Sequence, residues 1–118
     1  MPIRGIRGAT AVKTDTPDAV LAATRELLQS IVVANDLRTE DIASIIFTAT
    51  ADLRSEYPAR AARLLGWHDV PLLGATEMDV PTGLKRCIRV LLQVNTTKAP
   101  SDIKHIYLHE ATALRPDR

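Results

Sequence analysis

The sequence has little of what marks disulfide-stabilised, secreted or membrane proteins. Among its 118 residues there is one cysteine, Cys87, which excludes an intramolecular disulfide and fits a reducing compartment. No apolar run approaches the length of a membrane span, and the first eight residues, MPIRGIRG, lack the apolar segment of a secretion signal. We therefore expect a cytoplasmic protein with no membrane partner.

Nucleic-acid binding, metal chemistry and phosphate-loop chemistry also find little support. Aromatic residues make up 3% of the chain and the formal net charge is +1, so few side chains could stack on bases and no general attraction to polyanions is expected. The tract RGIRG at 4–8 looks like an RGG-type RNA-binding tract, but one copy inside an apolar strand is weak evidence. The glycines are isolated and the three histidines are scattered, so we expect neither a phosphate loop nor a metal site.

What the sequence does contain is the composition of one globular domain. Hydrophobic residues make up 46% and charged residues 25%, and the length suffices for one core but not for two. We expect a single domain over 1–118, with a mobile C-terminal tail over 111–118.

Strand and helix signals alternate along the chain. Thr16, Pro17 and Asp18 combine a hydroxyl cap, a first-turn proline and an acid, which predicts a helix that ends near Asn35. The predicted elements are strand 1–12, helix 16–35, strand 45–50, helix 57–65 closed by Gly66, strand 70–75, a third helix after Gly83 and strand 105–108. The predicted fold is α+β, a mixed sheet with helices packed on one face in the order βαβαβαβ.

The rest of the chain is organised around the stretch from Gly74 to Val94. A strand ends there and is followed by an acidic segment that contains Glu77. A third helix is predicted because apolar residues recur at i, i+4 and i+7, namely Leu84, Ile88 and Leu91. Lys85 and Arg89 lie four residues apart beside that stripe. We therefore expect a carboxylate from the strand end and guanidinium groups from the helix to hold a small polar anion.

Several arginines, one acid and one phenol are the candidate functional residues: Arg7, Arg60, Arg63, Arg89, Arg115, Glu77 and Tyr107. Each also has an ordinary structural explanation, such as an exposed position on a helix or a strand. The set includes no nucleophile, metal cluster or evident base. It suits recognition of a carboxylate-bearing molecule, or a reaction that needs only positioning and charge stabilisation.

Several motifs, taken together, resemble one known family. They are IRGIRGAT at 3–10, ATADL at 49–53, YPARAAR at 57–63, GW at 66–67, EMDVPTGLKRCIRV at 77–90, HIYL at 105–108 and ALRPD at 113–117. In this order they cover essentially the whole chain, and EMDV-x-x-GLK-x-CIRV is specific on its own. The chain resembles the small monofunctional bacterial chorismate mutases, the homotrimeric class with a pseudo-α/β-barrel rather than the all-helical class.

The resemblance implies an isomerase that catalyses the Claisen rearrangement of chorismate to prephenate, in the shikimate route to phenylalanine and tyrosine. This reaction is pericyclic, so it needs no cofactor, no metal and no proton transfer. The resemblance also implies a dianionic substrate and a homotrimer whose active sites lie at the subunit interfaces.

Roles for individual residues follow from the same resemblance. Arg89 would stabilise negative charge on the breaking ether oxygen, Glu77 would accept a hydrogen bond from the ring hydroxyl, and Arg7 would help hold the ether oxygen and a carboxylate. The substrate-binding residues would be Tyr107, Tyr57 and Arg63 (both from the neighbouring subunit), Leu73, Gly74, Ala75, Thr76, and Leu114 and Arg115 on a closing tail.

The chain departs from the family pattern at three of these positions. Gly74 stands where the family often has cysteine, so a side-chain contact is lost there, and Leu73 replaces a common threonine. Tyr57 adds a hydroxyl where phenylalanine is common. An alternative of a different class also stays open from the sequence, namely a non-catalytic trimeric binding module for a small carboxylate metabolite.

Overall fold

The computed structural model describes residues 1–114, which form one five-stranded sheet and two α-helices. The strands are β1 (Ile3–Ala11), β2 (Ile42–Ala49), β3 (Leu72–Thr76), β4 (Cys87–Asn95) and β5 (Ile106–Tyr107). The helices are α1 (Pro17–Asn35) and α2 (Arg60–Leu64). Single 3₁₀ segments lie at Thr39–Asp41, Pro100–Asp102 and His109–Leu114.

The sheet is mixed, with β4 at its centre. The strand order is β3-β2-β4-β1-β5, and β4 runs antiparallel to both of its neighbours, β2 and β1. The outer strands β3 and β5 run parallel to β2 and β1, respectively. The predicted α+β class with a mixed sheet is confirmed.

Helix α1 begins and ends where its sequence signals predict. The Thr16 hydroxyl accepts a hydrogen bond from the Ala19 amide at 3.2 Å, and Pro17 occupies the first turn, where a missing N–H costs nothing. The last helical residue is Asn35, and Asp36 leaves the helix with a left-handed φ of 51°.

The core lies between α1 and one face of the sheet. Alternate residues of three strands point into it, including Ile6, Phe47 and Leu92, and they pack with Leu27 and Ile31 of α1. The helix comes so close to β1 at Gly8 that an added Cβ would lie 2.7 Å from the Ile31 side chain. Helix α2 contributes Ala62 to the same cluster, so both α-helices described among residues 1–114 pack on this side of the sheet.

The prediction of a third helix is wrong, because residues 87–95 form strand β4. Burial alternates along this segment, with Ile88, Val90, Leu92 and Val94 buried and the residues between them more exposed. Ile88 and Leu91, two of the residues that suggested a helical stripe, therefore lie on opposite faces of the sheet. The β-branched residues favour a strand, and pairing with β1 and β2 on both sides decides between the two periods. The order βαβαβαβ is corrected accordingly, and Lys85 lies in the preceding loop.

The other elements exist as predicted, with shifted bounds. The helix predicted over 57–65 is shorter, because only Arg60–Leu64 is α-helical, and it closes at Gly66, whose φ is 88°. Strand β3 starts two residues later than predicted, and β2 starts three residues earlier. Within residues 1–114, no helix is long and apolar enough to cross a membrane.

Candidate active site

Arg89 lies in the middle of the sheet face that α1 leaves uncovered. The strand registers place Thr48 of β2 and Ala9 of β1 beside Arg89, and Tyr107 of β5 beside Ala9. Because residues directly opposite one another in a sheet point to the same side, these four form a row across four strands. On this face, therefore, only the small side chain of Ala9 lies between the side chains of Arg89 and Tyr107.

Glu77 joins this row from the end of β3. Its Oε2 lies 3.4 Å from Nη1 of Arg89 and accepts a hydrogen bond of 2.8 Å from the Thr48 hydroxyl. Its own amide donates to the Ala49 carbonyl at 2.9 Å, and its Oε1 accepts from the Met78 amide at 3.2 Å. The carboxylate is thus held on both oxygens, whereas the Arg89 side chain is 47% exposed and keeps donors for another partner.

Arg7 lies on the same face, two residues before Ala9 on β1 and therefore about 7 Å along the strand. The Arg7 amide donates to Nδ1 of His105 at 3.0 Å, which ties the segment before β5 to β1. Leu108 continues this connection, since its amide donates to the Ala9 carbonyl at 2.9 Å. The structure thus brings together four predicted site residues, Arg7, Glu77, Arg89 and Tyr107, although they come from distant parts of the chain.

A first concave surface lies over Arg89 and Glu77. This Arg89 groove is lined by 50–52, 77–81, 83–85, Cys87, Arg89 and Leu114, and its volume is about 530 Å³. Burial raises the pKa of the Cys87 thiol to about 11, although the nearby Arg89 charge acts in the opposite direction. The thiol is therefore protonated at neutral pH, which agrees with the inert cysteine of a buried strand position.

A second concave surface lies over the loop between β2 and α2. This Arg63 groove is lined by 47–51, 53–60, Arg63, Leu72 and 74–76, and its volume is about 970 Å³. Both volumes fall in the range of roughly 300–1,000 Å³ that is usual for small-molecule pockets. The Arg60 guanidinium forms an ion pair there, since its Nη1 lies 2.9 Å from Oε2 of Glu56, whereas Arg63 is exposed on α2.

The structure thus divides the predicted site residues between two surfaces. Tyr57, Arg63, Gly74, Ala75 and Thr76 line the Arg63 groove, and none of them lines the Arg89 groove. Leu73 lines neither groove; it lies on the open face of the sheet, the face that carries Arg89, and is 63% exposed. Arg115 lies outside the described residues. No group of three or more potential metal ligands occurs among the residues from 1 to 114.

Two residues that support the positions of Glu77 and β4 are not among those predicted from the sequence. Thr48 orients Glu77, and the only signal for it was a hydroxyl at an alternate position of a buried strand. Asp52 holds the start of β4 through a backbone contact, for which a sequence offers no pattern.

The family of the chain is decided by comparison with known proteins. The model of the family described as chorismate mutase type I matches residues 3–118. The chain belongs to this family. It is 52% identical to the chorismate mutase AroH of Thermus thermophilus over 98% of this chain and 95% of that protein. It is 46% identical to the chorismate mutase AroH of Bacillus subtilis over 99% of this chain and 93% of that protein.

A solved structure agrees with these matches. The chorismate mutase from Clostridium thermocellum superimposes with a TM-score of 0.92 and 47% identity, over 93% of this chain and 98% of that chain. The type I chorismate mutase predicted from the motifs, and with it the isomerase class, is confirmed.

Proposed function

We propose that this type I chorismate mutase carries out the rearrangement of chorismate to prephenate by positioned charge, in a pocket that two subunits of a homotrimer build together. The observation that carries the proposal is the Arg89–Glu77 pair on the open face of the sheet, with Thr48 holding the carboxylate. A guanidinium with free donors beside an anchored carboxylate offers opposite charges to the two ends of a polarised transition state.

The chemistry needs these two charges and no covalent partner. As the ether bond of chorismate breaks, negative charge grows on its oxygen while the allyl fragment becomes electron-poor. Arg89 stabilises that oxygen, and Glu77 accepts from the ring hydroxyl and lies toward the electron-poor side. Because the charge on the oxygen is larger in the transition state than in the substrate, the guanidinium lowers the barrier rather than only improving binding.

The substrate carries two carboxylates, and the same sheet face offers partners for them. Arg7 lies one strand away from Arg89, and Tyr107 lies on the strand beyond. Arg7 helps to hold the ether oxygen and a carboxylate, and Tyr107 donates to a carboxylate. All of these groups bind and orient, and none has to gain or lose a proton.

The second half of the pocket is the Arg63 groove of a neighbouring subunit. Tyr57 packs against the ring there, Arg63 attracts the anion, and residues 74–76 contribute to the wall. Two observations support a shared pocket: the two grooves of one chain have only Thr50 and Ala51 in common, so Arg89 and Arg63 line different grooves, and the open sheet face exposes apolar side chains. Leu73, Ile46 and Leu91 are consecutive cross-strand partners and are 63%, 36% and 36% exposed. A subunit seated on that row would bury it and exclude water from Arg89.

The C-terminal tail closes the pocket in this proposal. Leu114 already lines the Arg89 groove at the end of the described chain, and Arg115 follows it in the sequence. Gly74 contributes only its backbone, and an added Cβ would meet nothing within 4 Å in the single chain.

A mixed-refolding experiment tests the shared pocket. Arg89→Ala and Arg63→Ala variants are unfolded together, refolded as an equal mixture, and assayed by chorismate absorbance at concentrations well below the wild-type KM. In a cyclic trimer with heterologous interfaces, a pocket is intact when the Arg63→Ala chain supplies its residue 89 and the Arg89→Ala chain supplies its residue 63, which happens for about one pocket in four.

Recovery near a quarter of the wild-type activity supports the proposal. If both residues served one pocket within a single chain, no mixture could contain an intact pocket. Activity no higher than the mean of the two parents, in trimers whose mixed composition is verified by mass, rejects the two-subunit pocket.

A further inference from the structure

The turn that leads into β4 is held by a carboxylate outside the proposed catalytic set. Both oxygens of Asp52 accept hydrogen bonds from the Arg86 amide, at 3.1 and 2.9 Å. The Thr50 hydroxyl donates to Asp52 and accepts from the Cys87 amide at 2.9 Å. One side-chain network therefore holds the two consecutive amides at the start of β4.

The backbone at this turn would not keep its shape without such partners. Arg86 has a φ of 47°, which lies in the left-handed region that long side chains rarely adopt. A residue in that conformation persists only where its surroundings over-determine it. Here the opposite side of the turn is held as well, since the Arg86 side chain donates to the Val12 carbonyl at 2.9 Å and the Val12 amide donates to the Arg86 carbonyl at 2.8 Å. Arg86 is thus engaged in holding the turn.

Arg89 follows this turn by three residues on the same strand, whereas Glu77 reaches the pocket from β3 through Thr48. The relative position of the two charges therefore depends on where β4 begins. Pairing with β1 and β2 begins at Cys87 and Ile88 and keeps β4 in register, and the Asp52–Thr50 network adds side-chain support for the Arg86 and Cys87 amides.

We propose that Asp52 is a positioning residue for the rearrangement: by holding the Arg86–Cys87 turn, it keeps the Arg89 guanidinium aimed at the ether oxygen. This inference rests on the proposed function of Arg89. Asp52 lines the Arg89 groove, but both of its oxygens are engaged by the Arg86 amide and one also by the Thr50 hydroxyl, so in this proposal it acts through the backbone of β4.

The electrostatics of Asp52 agree with this geometry. Burial pushes the pKa of its carboxyl group up, but the hydrogen bonds from the Thr50 hydroxyl and the Arg86 amide outweigh burial and leave the pKa below its ordinary value. The carboxylate is therefore ionised at neutral pH, and a charged acceptor makes stronger bonds to the turn than a neutral one would.

The test compares kcat and KM for three variants. Asp52→Ala should lower kcat by about tenfold or more, because a displacement of the order of 1 Å costs that much or more at a charge-stabilising group. Its KM should stay within about twofold, since the binding residues on the other strands are untouched. Asp52→Asn keeps an oxygen acceptor for Arg86 and should recover kcat to within about threefold of wild type. Asp15→Ala is the matched control, because that carboxylate holds the amides of Arg54 and Ser55 in the same loop but not β4.

A double-mutant cycle then asks whether Asp52 acts through Arg89. If it does, Asp52→Ala should lower kcat by less than about twofold once Arg89 is already alanine, because there is no guanidinium left to aim. If Asp52→Ala does not fold, Thr50→Val removes the acceptor for the Cys87 amide without changing the charge, and the same kcat loss at constant KM is expected.

The outcomes separate this inference from the proposed function. Near-normal kcat in Asp52→Ala or Thr50→Val, together with a collapsed kcat in Arg89→Ala, overturns the positioning role alone. An undiminished loss in the Arg89→Ala background overturns it too. Near-normal kcat in Arg89→Ala itself rejects the proposed function from which the inference starts.

Discussion

The two grooves of this chain are held in different ways. In the Arg89 groove, Arg89 stands on β4, where strand pairing on both sides sets its position, and Glu77, which follows β3, is fixed through Thr48 of β2. The Arg63 groove has β2 and β3 on one side, but Tyr57 and Arg63 reach it from a loop and the five-residue helix α2, and side-chain carboxylates hold that loop in shape. Glu56, for example, accepts from the Tyr57 amide and from Arg60, both at 2.9 Å.

This difference matches the tasks that we propose for the two surfaces. Charge that must meet a transition state needs a position fixed to within a fraction of an ångström, and sheet strands supply that better than loops. Attracting a dianion and packing against its ring tolerate more movement. We therefore expect changes in the Arg89 groove to act mainly on kcat and changes in the Arg63 groove to act mainly on KM.

The largest effect should come from removing the Arg89 charge. Arg89→Ala should lower kcat by at least roughly 10²-fold, the scale of a lost pre-aimed donor. Arg89→Lys should recover only part of this, because an ammonium cannot reproduce the planar fork. Steady-state kinetics measures both. Arg25→Ala, which removes an exposed arginine from α1, is the control for loss of one charge. Near-normal kcat in a folded Arg89→Ala enzyme would contradict the expectation that the Arg89 groove acts mainly on kcat.

The second effect should be smaller and of a different kind. Arg63→Ala should raise KM by about tenfold while kcat changes by less than about threefold, because Arg63 contacts the anion equally in the ground and transition states. Arg60→Ala is the matched control on the same helix, and its effect on KM should be weaker since Glu56 already engages the guanidinium. A kcat loss for Arg63→Ala as large as that for Arg89→Ala would remove the distinction between the two grooves.

The same contrast explains which parts of the molecule could be predicted from the sequence. Helix α1 carries its signals locally, in the cap at Thr16 and the stop after Asn35, so the sequence predicts both of its ends. Leu84, Ile88 and Leu91 fit a helical period and so predict a helix at β4, although the apolar alternation from 88 to 94 fits a strand equally well. Pairing with β1 and β2, which are remote in sequence, decides between the two.

For the site, the motifs led to the residues but not to their arrangement. The motifs point to Arg89 and Glu77 but predict a helix under Arg89, and the hydrogen bond from Thr48 to Glu77 spans 29 positions of the chain. The anchoring of Arg86 by Asp52 spans 34 positions. Contacts of this range depend on the finished fold, so no local pattern announces them.

The smallest expected effect concerns how the stability of the loop beside the Arg63 groove depends on pH. Asp15 accepts hydrogen bonds from the Ser55 hydroxyl and from the Arg54 and Ser55 amides, and these contacts lower the pKa of its carboxyl group below the ordinary value. A folded-state pKa that is depressed stabilises the fold above the unfolded-state pKa, and that contribution is lost as the pH falls through the folded-state value. The contribution of Asp15 is therefore present at neutral pH and disappears below about pH 4, where aspartate ordinarily titrates.

Asp15→Asn tests this expectation, because it keeps the shape of the side chain and removes the charge. The Tm of the variant should lie a few degrees at most below that of wild type at neutral pH, roughly the scale of an exposed hydrogen-bonded charge in a domain of this size, and the two values should converge in acid. In the wild type, the Arg54 and Ser55 amide resonances should titrate together with an apparent pKa below that of an ordinary aspartate. At neutral pH the variant should raise KM slightly and leave kcat unchanged, as expected for the loop side of the pocket. A Tm difference that grows on acidification would mean that the ionised carboxylate destabilises the loop. Asp15 would then not be the group that holds this loop of the Arg63 groove in place.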